Sequence, residues 1–351
     1  MTPKKVALVG CGNWGSAIAR IVGETSIANP DLFDPTIKMW VYEEDVDGRK
    51  LSEIINQDHE NVKYLPGVKL PENVIGITDV VESCKDADIL IFCIPHQFVT
   101  KICEELKGKI KSDAIGISLI KGLSMQNTNG IKLVSDEIKD ILNIEVAVLM
   151  GANLASEVAQ DHYCEATIGT RNREKDGKLL KTLFHTDNFR INVVDDIEAV
   201  ELCGALKNIV ACGAGFSDGL GYGNNMKAAV IRLGMMEIIK FVNQFYPGAQ
   251  LSTFFESCGL ADLVTTCHGG RNLRICIEYA KTRKSMIELE KELLNGQSAQ
   301  GPLTAGEVYE VLEKAKSLEQ YPVFVAVHRI CTGEIQPEEF IDYLQNHPEH
   351  E

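Results

Sequence analysis

One lysine, Lys207, lies in the middle of ELCGALKNIVACGAG, a segment whose side chains are otherwise mostly apolar or small. The periodicity of the segment predicts a buried helix. A buried charge is costly without a partner, so a helical lysine commonly keeps its ammonium in water. Small side chains at helical spacing leave a hollow beside this ammonium, which suits a small polar ligand. They are Cys203, Gly204, Asn208 and Ala211.

A second polar cluster lies in GLADLVTTCHGGRNLR, where Asp262, Thr265 and Thr266 precede Gly269-Gly270-Arg271-Asn272. Glycines before a helix N-terminus, with arginine in its first turn, form a sound phosphate site. A solvated helix start has the same pattern, so the motif depends on its context. A third polar segment, NGQSAQGP, contains Gln297 and Gln300 and indicates little alone.

The element nearest the N-terminus predicts a nucleotide site. An apolar strand, Val6–Val9, is followed by Gly10-Cys-Gly12-Asn-Trp-Gly15 and then by a helical pattern. The GxGxxG motif is informative in this strand–turn–helix context. The first glycine allows the tight turn, the second lets a pyrophosphate approach, and the third lets helix and strand pack closely. The helix N-terminus would bind the phosphates.

The predicted second strand, IKMWVYEED, ends in acidic residues. An acidic side chain there would bind the adenine ribose hydroxyls, and Glu43, Glu44 and Asp45 would repel a 2′-phosphate. The nearest arginine is Arg49. The segment therefore favours NAD over NADP, and Tyr42 could stack on the adenine.

Further apolar runs predict the other strands of this sheet: NVIGIT, ADILIFCIP, AIGISLIKG, EVAVLMGAN, CEATIGT and FRINVV. Helical patterns between several of them, such as NGIKLVSDEIKDIL and GKLLKTLFHT, imply a mostly parallel α/β sheet. Ligands bind at the carboxyl ends of such strands. Lys121 lies at one of these ends, although a lysine there is by default solvated.

After residue 193 the strand pattern gives way to a series of predicted helices. We therefore predict a Rossmann-like domain over 1–193 and an all-α domain over 194–351, which would close a cleft against the sheet. Lys207 would lie just beyond the boundary.

The composition excludes several classes of function. A formal net charge of −15 argues against nucleic acid and anionic membranes as partners. No apolar run resembles a membrane span, and the N-terminus leaves no room for a signal peptide. Eleven scattered cysteines, with no CxxC pair, suit reduced thiols in the cytoplasm. No metal site is expected, and His347 and His350 are expected to be solvated in a polar tail.

These parts fit one reaction, hydride transfer between a nicotinamide cofactor and an alcohol or carbonyl. The hydroxyl proton needs an acceptor, and Lys207 is the best candidate. Its pKa would have to fall toward neutrality, and burial with nearby cations such as Lys121 and Arg271 would lower it. The same cations would hold an anionic substrate.

The chain resembles the cytosolic NAD-dependent glycerol-3-phosphate dehydrogenases of eukaryotes over essentially its whole length. The matching segments, in order, are VGCGNWGSAIA, HENVKYLPG, IPHQF, ISLIKG, LMGAN, ELCGALKNIVA, GLGYGN, KAAVIRLG, ESCGLADLVTTC, GGRN and NHPEH.

The resemblance implies interconversion of sn-glycerol 3-phosphate and dihydroxyacetone phosphate with NAD, in a homodimer. It makes Lys207 the proton acceptor for the C2 hydroxyl. The implied substrate residues are Lys121, Asn208, Asp262 and Thr266, with Arg271 and Asn272 on the phosphate. The implied cofactor residues are Gly10, Cys11, Gly12, Asn13, Trp14, Gly15, Tyr42, Phe98, Ala155, Arg271, Ser298 and Gln300.

Three positions depart from the family pattern. Cys11 replaces a common serine and Tyr42 a phenylalanine, with little effect expected. Ser298 replaces a common lysine, which puts NAD affinity and closure of that loop in question.

Two alternatives stay open. A β-hydroxyacid or 6-phosphogluconate-type dehydrogenase also joins a nucleotide-binding sheet to a helical domain with a lysine. A non-catalytic NADH-sensing protein could share the scaffold, although such a protein is expected to have lost Lys207 or Arg271.

Overall fold

The computed structural model describes residues 2–126, 130–294 and 299–350, which form two compact units. The sheet unit comprises Met1–Lys121 and Leu133–Ile197, and the helical unit comprises Gly122–Lys132 and Glu198–Glu351. The domain boundary after residue 193 stays a prediction. The two compact units themselves meet in sequence at Ile197 and Glu198, and the second also takes in Gly122–Lys132.

Eight of the strands form one sheet in the order β12-β11-β10-β7-β6-β1-β2-β5, with β3–β4 and β8–β9 as separate antiparallel pairs. Within the large sheet only the β10–β11 pair is antiparallel. The strands are β1 Lys4–Val9, β2 Phe33–Trp40, β3 Asp45–Val46, β4 Arg49–Lys50, β5 Val74–Ile77, β6 Ile89–Phe92, β7 Ile115–Ser118, β8 Ser124–Gln126, β9 Gly130–Lys132, β10 Glu145–Met150, β11 Cys164–Gly169 and β12 Phe189–Val194.

The helices α1–α7 belong to the sheet unit, and α8–α15 form the helical unit from residue 198 onward. They are α1 Asn13–Ala28, α2 Leu51–Asp58, α3 Val80–Cys84, α4 Val99–Leu106, α5 Val134–Leu142, α6 Ala155–Ala159, α7 Lys178–Phe184, α8 Ile197–Gly219, α9 Gly223–Phe245, α10 Asp262–His268, α11 Arg271–Thr282, α12 Met286–Leu293, α13 Gln300–Lys314, α14 Pro322–Thr332 and α15 Phe340–Gln345.

The sheet has a separate hydrophobic core on each face. One core contains Ile18 of α1 and Leu180 of α7, and the other contains Cys84 of α3 and Ile138 of α5. A strand covered on both faces is apolar throughout, and β6, with the sequence ILIF, is buried at all four positions. The prediction of a Rossmann-like, mostly parallel sheet followed by helices is confirmed.

Two predicted elements differ from the structure at their ends. The predicted helix NGIKLVSDEIKDIL is helical only over Val134–Leu142, and Gly130–Lys132 forms a short antiparallel strand. The helix starts where Asp136 and Glu137 enter its first turn, and acidic residues favour an N-terminus there. The second strand ends at Trp40, so Glu43 and Glu44 lie in the following loop and Asp45 begins β3.

The expectation that no apolar run resembles a membrane span is wrong for α8, which is long and apolar enough to cross one. Its most apolar 18-residue stretch is, however, entirely buried inside the protein. This is the property of a core helix. Lys207, 5% exposed, lies in this helix, as its sequence predicted.

The expectation that His347 is solvated is wrong. His347 is buried and its Nε2 lies 3.0 Å from Oε1 of Glu237. Glu237 also accepts hydrogen bonds from the backbone N–H groups of Val323 and Phe324 in the first turn of α14. The carboxylate therefore caps one helix and ties the C-terminal segment to α9, although its burial raises the pKa of Glu237.

Candidate functional site

The glycine-rich turn joins β1 to α1, and its three glycines have different surroundings. Gly10 has a φ of +117°, and a Cβ atom there would overlap the carbonyl oxygen of Cys93. A Cβ atom at Gly15 would overlap the carbonyl oxygen of Gly10. At Gly12 nothing lies within 4 Å of that position. The first and third glycines therefore serve packing, and the second leaves its backbone open to a ligand.

The N-terminus of α1 is suited to an anion. Gly12 is its N-cap residue, no side chain caps the helix, and its first turn contains no acidic residue. The free backbone N–H groups and the helix dipole therefore remain available for a phosphate. An open glycine turn before an uncapped helix fits the pyrophosphate of a dinucleotide such as NAD.

A buried asparagine, Asn61, holds this turn in place and was not identified from the sequence. Its Nδ2 donates to the carbonyl oxygen of Cys11 at 2.7 Å and lies 2.9 Å from Oγ of Ser16. Its Oδ1 accepts from the backbone N–H of Tyr64. Asn13 donates to the carbonyl oxygen of Tyr64 at 2.8 Å, so the Asn61 segment contacts both ends of the turn. No spacing rule links Asn61 to the glycines.

We expect Asn61→Leu to weaken NADH binding about fivefold, because a lost hydrogen bond of this kind is worth about 1 kcal/mol. NADH fluorescence titration measures the change in Kd. Asn73→Leu is the matched control, since Asn73 donates to backbone carbonyls of Gly23 and Pro35, away from the glycine turn. Equal weakening in both variants would mean that Asn61 supports the unit and not the turn.

The acidic residues after β2 already have partners in the sheet unit. Glu44 accepts from the hydroxyl of Tyr64 and pairs with Lys63, and Glu43 accepts from the hydroxyl of Ser52. Arg49 pairs with Asp58 at 2.6 Å. The loop after β2 therefore presents the carboxylates of Glu43 and Glu44, and its nearest arginine, Arg49, already pairs with Asp58. This arrangement would repel a 2′-phosphate, so it suits NAD better than NADP.

Other predicted cofactor residues also lie in the sheet unit. Tyr42 is 67% exposed and packs edge-on against Trp40, with ring centroids 6.5 Å apart, and Phe98 is 48% exposed in the turn after β6. Trp14 instead packs edge-on against Phe189. Cys11 is buried, which raises the pKa of its thiol to about 11, so it stays protonated. Ala155 begins the short helix α6.

Lys121 lies beyond the end of β7, where the sequence predicted it. Its Nζ donates to the carbonyl oxygen of Gly151, beyond the end of β10, at 3.1 Å. The strands β7 and β10 are neighbours in the sheet. The half-buried ammonium therefore lies at the carboxyl edge of the sheet, where ligands of such folds bind.

In the helical unit, the Lys207 ammonium has two polar neighbours on α10. It forms an ion pair with Asp262 and donates to the hydroxyl of Thr266 at 2.5 Å. Asp262 is 2% exposed, so the pair is largely removed from water. The sequence led us to expect cations around Lys207, but a carboxylate contacts it. The site residues Lys207, Asp262 and Thr266 are thus brought together.

The second cluster of this unit joins two asparagines. Nδ2 of Asn272 donates to Oδ1 of Asn208 at 2.9 Å, and both residues are buried. Since Asn208 follows Lys207 on α8, this pair lies next to the lysine in the same helix. Gly270, with a φ of +100°, precedes α11, which no side chain caps.

Arg271 is the first residue of α11 and is exposed by its surface area, although partial desolvation lowers its pKa. The guanidinium nevertheless remains charged, as it does throughout proteins. Its position at a helix N-terminus behind a glycine is the arrangement that the phosphate motif predicted.

The remaining predicted residues are Ser298 and Gln300. Ser298 lies outside the described residues. Gln300 begins α13, and its Oε1 is buried with no hydrogen-bond partner among the residues that the structure describes. A buried carbonyl of this kind is costly, and a bound ligand could satisfy it.

Across residues 2–126, 130–294 and 299–350, no three histidine, cysteine or acidic side chains are grouped so that they could hold a metal ion. The eleven cysteines all lie in these ranges, and none forms a disulfide.

Two family models match the chain. The NAD-dependent glycerol-3-phosphate dehydrogenase N-terminus matches residues 5–176, and the corresponding C-terminus matches residues 196–342. A probable glycerol-3-phosphate dehydrogenase 2 of Caenorhabditis elegans is 64% identical and covers 100% of this chain and 92% of its own length. The human cytoplasmic NAD(+) glycerol-3-phosphate dehydrogenase is 57% identical over the full length of both chains.

Solved structures agree with these sequence comparisons. The glycerol-3-phosphate dehydrogenase of Saccharomyces cerevisiae has a TM-score of 0.91 and 45% identity, and the match covers 98% of this chain and 99% of that one. The Plasmodium falciparum enzyme has a TM-score of 0.93 and 38% identity, over 97% and 95%.

Proposed function

Because the chain belongs to the NAD-dependent glycerol-3-phosphate dehydrogenase family, we infer that it is an NAD-dependent oxidoreductase that interconverts sn-glycerol 3-phosphate and dihydroxyacetone phosphate. We propose that Lys207 is its proton donor and acceptor. The observation that carries this role is the buried contact of Lys207 with Asp262 and Thr266.

The contact provides a proton at a defined atom. When bound, NAD accepts the hydride from the alcohol carbon, and NADH returns it to the carbonyl carbon. In the reductive direction, Nζ of Lys207 would donate a proton to the carbonyl oxygen. The contacts with Asp262 and Thr266 would hold the ammonium in position for this transfer. In the oxidative direction the neutral amine would take the hydroxyl proton.

For the substrate phosphate we propose Arg271 and Asn272 at the N-terminus of α11, where guanidinium, amide and free backbone N–H groups are all donors. We also propose substrate contacts for Asn208 and for Lys121. These cationic and amide donors would hold an anion in a chain whose formal net charge is −15.

For NAD we propose the turn Gly10–Gly15, with its open glycine and uncapped helix, on the pyrophosphate. Tyr42, Phe98 and Ala155 would contact the rest of the cofactor in the sheet unit. Arg271, Ser298 and Gln300 are proposed as further cofactor contacts, and the buried oxygen of Gln300 supports its place in this group.

The names of relatives indicate the cell compartment. Curated relatives from cattle, flies and human are named cytoplasmic, and we infer the same compartment for this chain. We further propose a homodimer, which sedimentation analysis of the purified protein would test.

The decisive experiment is NADH oxidation by the purified protein with dihydroxyacetone phosphate, followed by NADH absorbance. Oxidation that is far faster with the phosphate group than without it would support the proposal. Unphosphorylated dihydroxyacetone tests the phosphate requirement, and 3-hydroxyacids or 6-phosphogluconate with NAD test the alternative dehydrogenases. If the protein bound NADH but turned over none of these substrates, the proposed enzymatic function would be refuted and an NADH sensor would be favoured.

A further inference from the structure

A hydrogen-bonded chain links the start of α13 to the two asparagines of the proposed substrate site. The backbone N–H of Gly301 donates to Oδ1 of Asn272 at 2.9 Å, and Nδ2 of Asn272 donates to Oδ1 of Asn208 at 2.9 Å. We propose that Gly301 is a positioning residue whose backbone N–H sets the orientation of both amides. This inference rests on the proposed function, in which Asn208 and Asn272 bind substrate.

The chemistry of the donors fixes the direction of this chain. A backbone N–H can only donate, so the oxygen of Asn272, and not its nitrogen, must face Gly301. The nitrogen of Asn272 then faces Asn208, whose oxygen must turn toward it. Each amide is thereby held in one of its two possible orientations.

The consequence is that both asparagines keep N–H groups for a ligand. Asn272 uses one N–H of its amide on Asn208, which leaves the second. The amide nitrogen of Asn208 lies 3.5 Å from the carbonyl oxygen of Gly204, at the limit of a hydrogen bond, and so remains available for a better acceptor. Phosphate oxygens accept hydrogen bonds, so the fixed orientation suits a phosphorylated substrate.

The position of Gly301 in its helix explains why its backbone N–H can donate to Asn272. Gly301 is the second residue of α13, and the first N–H groups of a helix have no partner within the helix. Asn272 supplies the missing acceptor. The same hydrogen bond therefore satisfies the end of one helix and orients a side chain on another.

Glycine is required at this position because the three helices approach too closely for a side chain. A Cβ atom on residue 301 would overlap Sγ of Cys212 and would lie 2.6 Å from the carbonyl oxygen of Asn208 and 3.2 Å from Cγ of Asn272. All three neighbours are buried. These contacts include the backbone carbonyl of Asn208 and the side-chain amide of Asn272, so an added methyl group must shift that amide or the helix backbone that carries Asn208.

The test is Gly301→Ala, with kcat/KM measured for dihydroxyacetone phosphate and for dihydroxyacetone. We expect kcat/KM for the phosphorylated substrate to fall at least about tenfold, because hydrogen bonds to a charged group are lost. The value for dihydroxyacetone and the Kd for NADH should change less than about twofold. A purely structural role would not separate the two substrates.

The matched control is Gly306→Ala in the same helix. A Cβ atom there would lie 3.7 Å from Nδ1 of His328, an ordinary van der Waals contact. This variant should keep the wild-type ratio of the two kcat/KM values. If any alanine substitution in α13 changed the ratio of the two kcat/KM values, both variants would show that change.

If Gly301→Ala does not fold, the double variant with Cys212→Ala decides the question, compared with Cys212→Ala alone. The second change removes the sulfur overlap but leaves the contact with the carbonyl oxygen of Asn208. The selective loss with the phosphorylated substrate should persist.

Unchanged kcat/KM for dihydroxyacetone phosphate in the foldable Gly301 variant would overturn the proposal. An equal loss with both substrates would do the same. If wild-type protein does not turn over dihydroxyacetone phosphate, the proposed function itself fails, which is a distinct result.

Discussion

Replacing Lys207 by methionine is expected to reduce turnover of dihydroxyacetone phosphate by about 10²–10⁴-fold, the usual contribution of a positioned proton donor. The Kd for NADH should change little, because the proposed pyrophosphate site lies in the glycine turn of the sheet unit. Methionine keeps much of the volume of the lysine side chain, so the loss of turnover can be attributed to the missing ammonium group. Turnover is measured by NADH absorbance and binding by NADH fluorescence.

The change also removes the partner of a buried carboxylate. Asp262 is 2% exposed, and breaking a buried ion pair costs about 3–5 kcal/mol of stability. Unfolding should therefore be measured beside activity. Lys207→Arg separates the two effects, since it keeps a cation for Asp262 but its guanidinium does not release a proton at neutral pH. We expect this variant to be nearly as inactive as the methionine variant, and more stable.

Lys227→Met is the control for the loss of a buried lysine as such. Lys227 is 8% exposed and pairs with Asp218 at 2.7 Å, in the same helical unit. It should lose stability and retain most of the turnover per folded molecule. Normal turnover in the two Lys207 variants would exclude Lys207 as the proton donor, and equal losses in the Lys207 and Lys227 variants would reduce both lysines to structural roles.

The features that could be predicted from the sequence are local ones. The glycine turn is encoded by a strand, three glycines and a helix within a few residues of one another, and the structure has this arrangement. The buried helix around Lys207 follows from apolar and small residues at helical spacing, and Lys207 lies buried in that helix. In both cases the interacting groups are close in the chain, so spacing carries the information.

The features that could not be predicted depend on distant segments. Asp262 and Thr266 lie more than fifty positions beyond Lys207, so spacing did not reveal that the ammonium would meet a carboxylate and not only other cations. Asn61 and Gly301 act through hydrogen bonds with the backbone, which have no residue-type signature. His347 was misjudged because a polar tail looks solvated until its buried partner, Glu237, is known.

The limits of some elements also depend on their neighbours. The strand β2 pairs with β1 up to Val9 and with β5 up to Ile77, and both pairings end at Trp40. The acidic segment after it looked like a continuation of the strand because Val41 and Tyr42 have high β propensity. The strand ends where its pairing partners end, which a single segment cannot reveal.

Arg271→Leu is expected to lower kcat/KM for dihydroxyacetone phosphate by about 10²-fold, because charge-assisted hydrogen bonds to the phosphate are lost. The chain carries a net charge of −15, so an anionic substrate must be held by local donors against the overall charge. A guanidinium in the first turn of α11 adds to the free N–H groups of that helix. The loss should appear mainly in KM for the phosphorylated substrate.

Arg274→Leu is the matched control, since Arg274 is an exposed arginine three residues further along α11. Both variants remove one charge from the same helix, so a general electrostatic effect would be shared between them and would weaken with added salt. A specific phosphate contact would be lost only in Arg271→Leu and would lower kcat/KM for dihydroxyacetone phosphate far more than kcat/KM for dihydroxyacetone, which changes only through the proposed cofactor contact of Arg271. Equal kinetics in the two variants, or an equal loss with and without the phosphate group, would remove Arg271 from the phosphate site. In that case Asn272 and the backbone of the helix would have to bind the phosphate without it.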